Sequence, residues 1–155
     1  MEVLATELAV SRATLYRVAG SRDALLGDAL WMLGRRVLDR ARRAREQSGV
    51  DGVIEVSRRF AERLFSAPPM RRFVADEPQT AARVLFTTSG EVHRRAVQAQ
   101  SEIFVEAGAA APGQDAFEQA FLYVRIMESV LYGELISGRP VEFATAERAL
   151  RALIS

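Results

Sequence analysis

The chain contains no cysteine, no lysine and one histidine, His93, among 155 residues. Without cysteine there is no disulfide framework, no thiolate nucleophile and no Cys-based zinc site. One histidine makes a multi-histidine metal site impossible, so no metal and no cofactor is expected. No apolar run approaches the roughly 18–20 residues needed to span a bilayer, and no signal-peptide pattern opens the chain. Neither a phosphate-binding glycine loop nor a nucleophile elbow is present. An enzyme would need converging titratable groups that these absences leave no room for. The expectation is a cytoplasmic, non-enzymatic protein with no membrane partner.

All 21 basic residues are arginine. With the many alanines, this points to a GC-rich genome more than to special chemistry. The net charge of +1 hides an asymmetry. Residues 1–46 hold nine arginines against six carboxylates, 9 − 6 = +3, and residues 47–155 hold twelve against fourteen, 12 − 14 = −2. A basic head on a slightly acidic body is what attraction to phosphate favours. Sustained period-two alternation is missing and glycine and proline fall at wide spacing, so the reading is all-α.

The first 26 residues, MEVLATELAVSRATLYRVAGSRDALL, organise the rest. Leu4, Ala5 and Leu8 recur at helical spacing, and a break follows at Ala9-Val10-Ser11. Ser11 is a good N-cap for a second short helix from Arg12 to Val18. Ala13, Thr14 and Arg17 lie on one side of it, Leu15 and Val18 nearer the other. Two short helices joined by such a turn fit a helix-turn-helix; an ordinary hairpin at the end of a bundle fits the pattern too. Ser21 is a second N-cap, opening a long helix to about Gln47 with an apolar stripe of Leu25, Leu26, Ala29, Leu30, Leu33, Val37 and Leu38. Its later half, with Arg35, Arg36, Arg40, Arg42, Arg43 and Arg45, is either a phosphate-facing flank or a solvated face near the helix C-terminus.

Beyond a break at residues 48–52, helices are expected over about Val53 to Ser66, Met70 to Ala75, one long helix from Thr80 to Ala107 with a possible interruption at Thr87-Thr88-Ser89-Gly90, then Ala116 to Ser137 and Phe143 to Leu153. Ala109 to Gln114 reads as a loop, and Asp115 as a cap. Val53, Val56, Phe60, Leu64 and Phe65 are expected to face inward.

The run Ala9-Val10-Ser11-Arg12-Ala13-Thr14-Leu15-Tyr16-Arg17, followed by Gly20-Ser21-Arg22-Asp23-Ala24-Leu25-Leu26, resembles the operator-binding helix-turn-helix of TetR-type regulators. Two positions depart from that pattern. Ala9 stands where glycine is usual, which strains a positive-φ turn residue, and Ala19 stands where an aromatic is common. The body, through PPMRRFVADEPQTAARVL and YVRIMESVLYGELISGRP, resembles the QsdR-like subgroup of the same family. In such proteins another helix precedes the helix-turn-helix. The chain is therefore expected to be truncated before Met1, its first helix missing, or to have a minimal head whose Leu4, Leu8, Leu15 and Val18 lose burial worth roughly 1.5–3 kcal/mol each if full.

The resemblance implies two units, residues 1–47 as the DNA-binding head with its connecting helix and residues 48–155 as the regulatory and dimerisation domain. It implies double-stranded operator DNA as a partner, met by Ser11, Arg12, Ala13, Thr14, Tyr16, Arg17, Ser21 and Arg22. Release of such a repressor would follow binding of a small apolar, lactone-like effector. The pocket is expected among Phe60, Phe86, His93, Tyr123, Met127 and Glu128, with Thr87, Thr88 and Arg125 as further anchors. His93 reads equally as a satisfied interface histidine, and Arg125 with Glu128, three apart in an apolar stretch, as a structural ion pair. The last two helices are the expected homodimer surface, with Phe117, Phe121, Val124, Val130 and Leu131 supplying apolar area. The alternative is a helical ligand- or protein-binding module whose DNA head does not function.

Overall fold

A computed structural model describes residues 1–109 and 116–155. It is all-helical over these residues, with α1 (Glu2–Glu7), α2 (Arg12–Ala19), α3 (Arg22–Arg43), α4 (Gly49–Phe65), α5 (Pro68–Asp76), α6 (Pro78–Phe86), α7 (Val92–Ala107), α8 (Ala116–Ser137) and α9 (Phe143–Ile154). The expected loop and the Asp115 cap lie largely outside the described residues. No described helix is long and apolar enough to cross a membrane.

Both serine caps form. Ser11 Oγ accepts from the Thr14 amide at 3.0 Å and Ser21 Oγ from the Ala24 amide at 3.0 Å, each supplying an acceptor for an amide that the first helical turn leaves orphaned. Between them Gly20 closes α2 at φ +73°, its amide bonded to the Tyr16 carbonyl at 2.8 Å.

The core lies where α4, α7, α8 and α9 meet, around Val53, Ile54, Val97, Phe104, Tyr123 and Leu150. Phe104 and Tyr123 meet edge to face, 5.4 Å between ring centres. The Tyr123 hydroxyl, buried with its ring, pairs with Ser57 Oγ at 2.8 Å. Burial drives its pKa well above the ordinary phenol value, so it stays a neutral partner.

Several expectations are corrected. The connecting helix stops at Arg43 rather than Gln47, and α4 begins at Gly49, so the glycine-containing segment read as a break is α4's first turn. Glu55 explains this: its Oε2 accepts from the amides of Glu46 and Gln47, both at 3.0 Å, folding the linker back onto α4. Gly52 permits the approach, since a Cβ there would lie 2.5 Å from the Gln47 carbonyl oxygen. The long helix from Thr80 splits into α6 and α7. Thr87 is extended (ψ 172°) and Glu91 left-handed (φ 60°), which turns the chain back. Phe65 and Leu33 are exposed rather than inward, as is Ala29. Within α8, Tyr132 leaves helical geometry (φ −135°, ψ 18°).

Helix α3 packs on α4, α6 and α7 and also carries α2. Its tightest contact is at Gly27, where a Cβ would lie 2.0 Å from the Gly90 carbonyl oxygen in the α6–α7 turn. Ion pairs flank it: Arg83 forks onto Asp23, and Arg95 Nη2 reaches Asp28 at 2.6 Å. The Arg83 hydrogen bonds hold the Asp23 carboxyl below its usual range. Gly27→Ala should cost about 1–3 kcal/mol through forced separation of backbone from backbone. Gly34→Ala, with nothing within 4 Å of the added methyl, should instead stabilise by up to about 1 kcal/mol. Urea unfolding of the two variants checks the contrast.

Candidate nucleic-acid interface and ligand cavity

Helix α2 is seated by one residue. Leu15 is 7% exposed, while Arg12, Ala13, Tyr16 and Arg17 stand outward, as do Ser11, Ser21 and Arg22. Thr14 is half-buried, its hydroxyl 2.9 Å from Ser11 Oγ. Val18, expected on the inner side, is 80% exposed, and Leu8 is 56% exposed. They are not core residues here, because among the described residues α2 packs mainly on α1 and α3 and both side chains stay exposed.

Three arginines in this region differ in availability. Arg12 Nη1 is 2.6 Å from Glu2 Oε1 on α1, and Arg22 Nη2 is 3.4 Å from Glu77 Oε2 at the start of α6. Arg17 enters no ion pair among the described residues. Both pairs are exposed, and such pairs are worth about 0–1 kcal/mol. A phosphate can therefore displace either carboxylate. The N-terminus of α3 adds free amides and the positive end of a helix dipole. Ala9 is indeed in the left-handed region, φ 53°.

The body encloses a cavity of about 100 Å³ between α3, α4, α7 and α8. Leu30, Trp31, Gly34 and Leu38 bring α3 to its wall. Phe60, Leu64, Leu85, Val124 and Met127 add to the apolar lining, and His93, Gln100, Ser57, Glu128 and Tyr132 are lining residues that carry polar atoms. A larger groove of about 490 Å³ adjoins it past Leu64, Met70, Leu131 and Tyr132, running between α5 and the end of α8.

Four of the residues read as pocket-lining from sequence, Phe60, His93, Met127 and Glu128, line the cavity. Phe86 and Tyr123 stand one layer back: Phe86 packs on the Tyr132 ring at 5.3 Å, and Tyr123 supports Ser57. Thr87 and Thr88 are exposed in the α6–α7 turn and are not anchors, the Thr87 hydroxyl instead bonding the Arg83 carbonyl. Glu128 Oε2 takes a hydrogen bond from Arg125 Nη1 at 2.9 Å, and its Oε1 lies 2.7 Å from Nδ1 of His93. The Phe121 ring meets His93 edge to face and lies beneath the Arg125 guanidinium, both at 5.3 Å. Sequence reading missed Gln100, Ser57, Leu30, Trp31 and Leu38 as wall residues. Only the spacing of Val92, His93, Ala96 and Gln100, one face of α7, could have signalled part of that set.

On the far side, Phe117, Phe121 and Leu122 are exposed on α8, beside exposed Ala144, Ala149 and Ala152 on α9. Val124 and Val130, expected to add to this surface, are buried within the chain at 7% and 4% exposure, and Leu131 turns to the cavity.

A capped helix-turn-helix on a long helix that runs into a helical body is the arrangement of a helix-turn-helix class of transcriptional regulator. Residues 48–155 match the family described as tetracyclin repressor-like, C-terminal domain. The chain belongs to the TetR family of transcriptional regulators. Its structure is similar to that of the R. erythropolis transcriptional repressor QsdR from the TetR family, with a TM-score of 0.90 and 27% identity. That similarity covers 99% of this chain and 82% of the other. No curated protein matches the sequence.

Ala9→Gly should relieve the left-handed turn and stabilise the head by about 0.5–1 kcal/mol, the strain released less the entropy that glycine adds to the unfolded chain. Slower amide hydrogen exchange across α1 and α2 is the expected signature.

Proposed function

We propose that the chain is a homodimeric transcriptional repressor that grips operator DNA through α2 and lets go when a small apolar ligand fills the body cavity. The observation that carries this reading is the reach of α3. The same helix presents Ser21 and Arg22 beside α2 and lines the cavity with Leu30, Trp31, Gly34 and Leu38. A ligand that wedges against those four residues acts on the rod itself. Residues 1–47 form the reading unit and residues 48–155 the sensing unit. Resemblance to the QsdR-like subgroup makes a lactone-like molecule the first ligand to try.

Arg12 and Arg17 supply phosphate or guanine contacts, Tyr16, Ser21 and Arg22 hold the backbone, and Ala13 and Thr14 are short enough to approach base edges. One such head buries too little surface for selective binding. Two copies are joined through the exposed faces of α8 and α9 as a four-helix interface. Ligand binding favours a tilt of α3 that misplaces the heads, and a preference of a few kcal/mol for the tilted state suffices for release.

The exposed Val18 and Leu8, with Arg12 paired to Glu2, favour a second reading, a sensing module whose head does not bind DNA. Gel shift against the promoter beside its own gene separates the two. Arg17→Ala should weaken binding to all duplexes and lower the salt slope by about one; an unchanged slope removes Arg17 from the phosphates. Leu122→Glu should shift the protein from dimer to monomer in light scattering at micromolar concentration, since an exposed apolar position becomes a buried charge only in the dimer.

A further inference from the structure

Two buried polar atoms on the wall of the cavity have no partner in the protein, Nε2 of His93 and the side-chain nitrogen of Gln100. Interiors seldom leave such groups unmet, because each costs free energy comparable to a lost hydrogen bond. Both residues are on α7, seven positions and so about 10 Å apart along the helix axis. Both side chains line one cavity of about 100 Å³.

Their chemistry is complementary rather than alike. Nδ1 of His93 faces Glu128 Oε1 at 2.7 Å, and the second Glu128 oxygen already accepts from Arg125. A carboxylate offers only acceptors, so the tautomer that bonds Glu128 carries its hydrogen on Nδ1 and presents a lone pair at Nε2. The Gln100 nitrogen presents N–H groups. An anion in this cavity would stand beside Glu128, and a cation would find that carboxylate taken by His93 and Arg125. Apart from Ser57, which is paired with Tyr123, and Tyr132, the rest of the wall is apolar, and an unpaired ion there is costly.

We infer that the ligand of this cavity is an uncharged molecule that donates a hydrogen bond to Nε2 of His93 and accepts one from Gln100, through groups set about six carbons apart. The inference rests on the reading of the cavity as the effector site and specifies its chemistry. A ligand that fills the cavity without meeting both atoms leaves a buried polar group unpaired and loses affinity. A simple lactone, with acceptors alone, satisfies only Gln100.

The test compares methyl 6-hydroxyhexanoate with methyl hexanoate, titrated into the full chain by calorimetry. The hydroxy ester should bind about tenfold more tightly, the difference one buried hydrogen bond makes. Gln100→Met should weaken both esters about equally, and His93→Phe should abolish the preference between them. Because His93 is the only histidine, ring ¹⁵N spectra of the unmutated protein report the same contact without any variant. Its Nε2 resonance should move upfield with the hydroxy ester and stay in place with methyl hexanoate. Equal affinities with a stationary Nε2 signal overturn the inference while leaving the cavity as the effector site. Failure of both esters and of their ten-carbon homologues to bind removes the effector reading itself.

Discussion

The close seating of the α6–α7 turn on α3 is the contact on which the rest of the architecture depends. Gly27 and Gly90 bring two backbones so near that neither position has space for a methyl group: a Cβ on Gly27 would lie 2.0 Å from the Gly90 oxygen, and one on Gly90 would lie 2.2 Å from the Val84 oxygen. Ion pairs on either side, Asp23 with Arg83 and Asp28 with Arg95, set the rotation of α3 about that point. Each pair is partly exposed and worth little alone, but a close-packed crossing bounded by charges has few alternative arrangements. This is how a helix of 22 residues can be fixed to the body in its second turn and still hold α2 at that end.

The crossing also places the α2 end and the cavity wall on one element. Below Gly27, α3 presents Arg22, whose guanidinium meets Glu77 at the start of α6. Above it, α3 forms cavity wall at Leu30, Trp31, Gly34 and Leu38. Leu85 of α6 lines the same cavity, so a molecule inside touches both partners of the crossing. Packed interiors respond to such pressure by switching between discrete arrangements rather than by bending smoothly. A change of tilt at Gly27 then alters the Arg22–Glu77 spacing and the aim of α2 together.

What could be read from the sequence was local chemistry with a local cause. The caps at Ser11 and Ser21 are set by side chains three residues from the amides they accept, and both formed. The strain at Ala9 followed from a family pattern in which glycine is usual, and its φ of 53° shows it. Periodicity located α8 and α9 to within a residue. Where a distant residue decides, the sequence misled. Gly49 and Gly52 read as a break, yet Glu55 folds the linker back and makes them the start of α4. From Thr80 to Ala107 the expected interruption at Thr87 to Gly90 is a full turn between two helices, because Gly90 must meet Gly27, a contact between residues 63 positions apart.

The cavity shows the same division in sharper form. Phe60, His93, Met127 and Glu128 were legible because aromatic, thioether and titratable side chains stand out in an apolar context. Gln100 was not, since a glutamine on an amphipathic helix is ordinarily solvated and only tertiary packing makes it 8% exposed. Phe86 failed for the converse reason: its bulk marked it as wall, but Tyr132, where α8 leaves helical geometry, intervenes. Side-chain type thus identifies which residues are able to meet a ligand, and backbone closure decides which of them do. On the proposed reading, single inconspicuous polar positions such as Gln100 can change what the cavity recognises without disturbing the apolar wall or the α3 crossing.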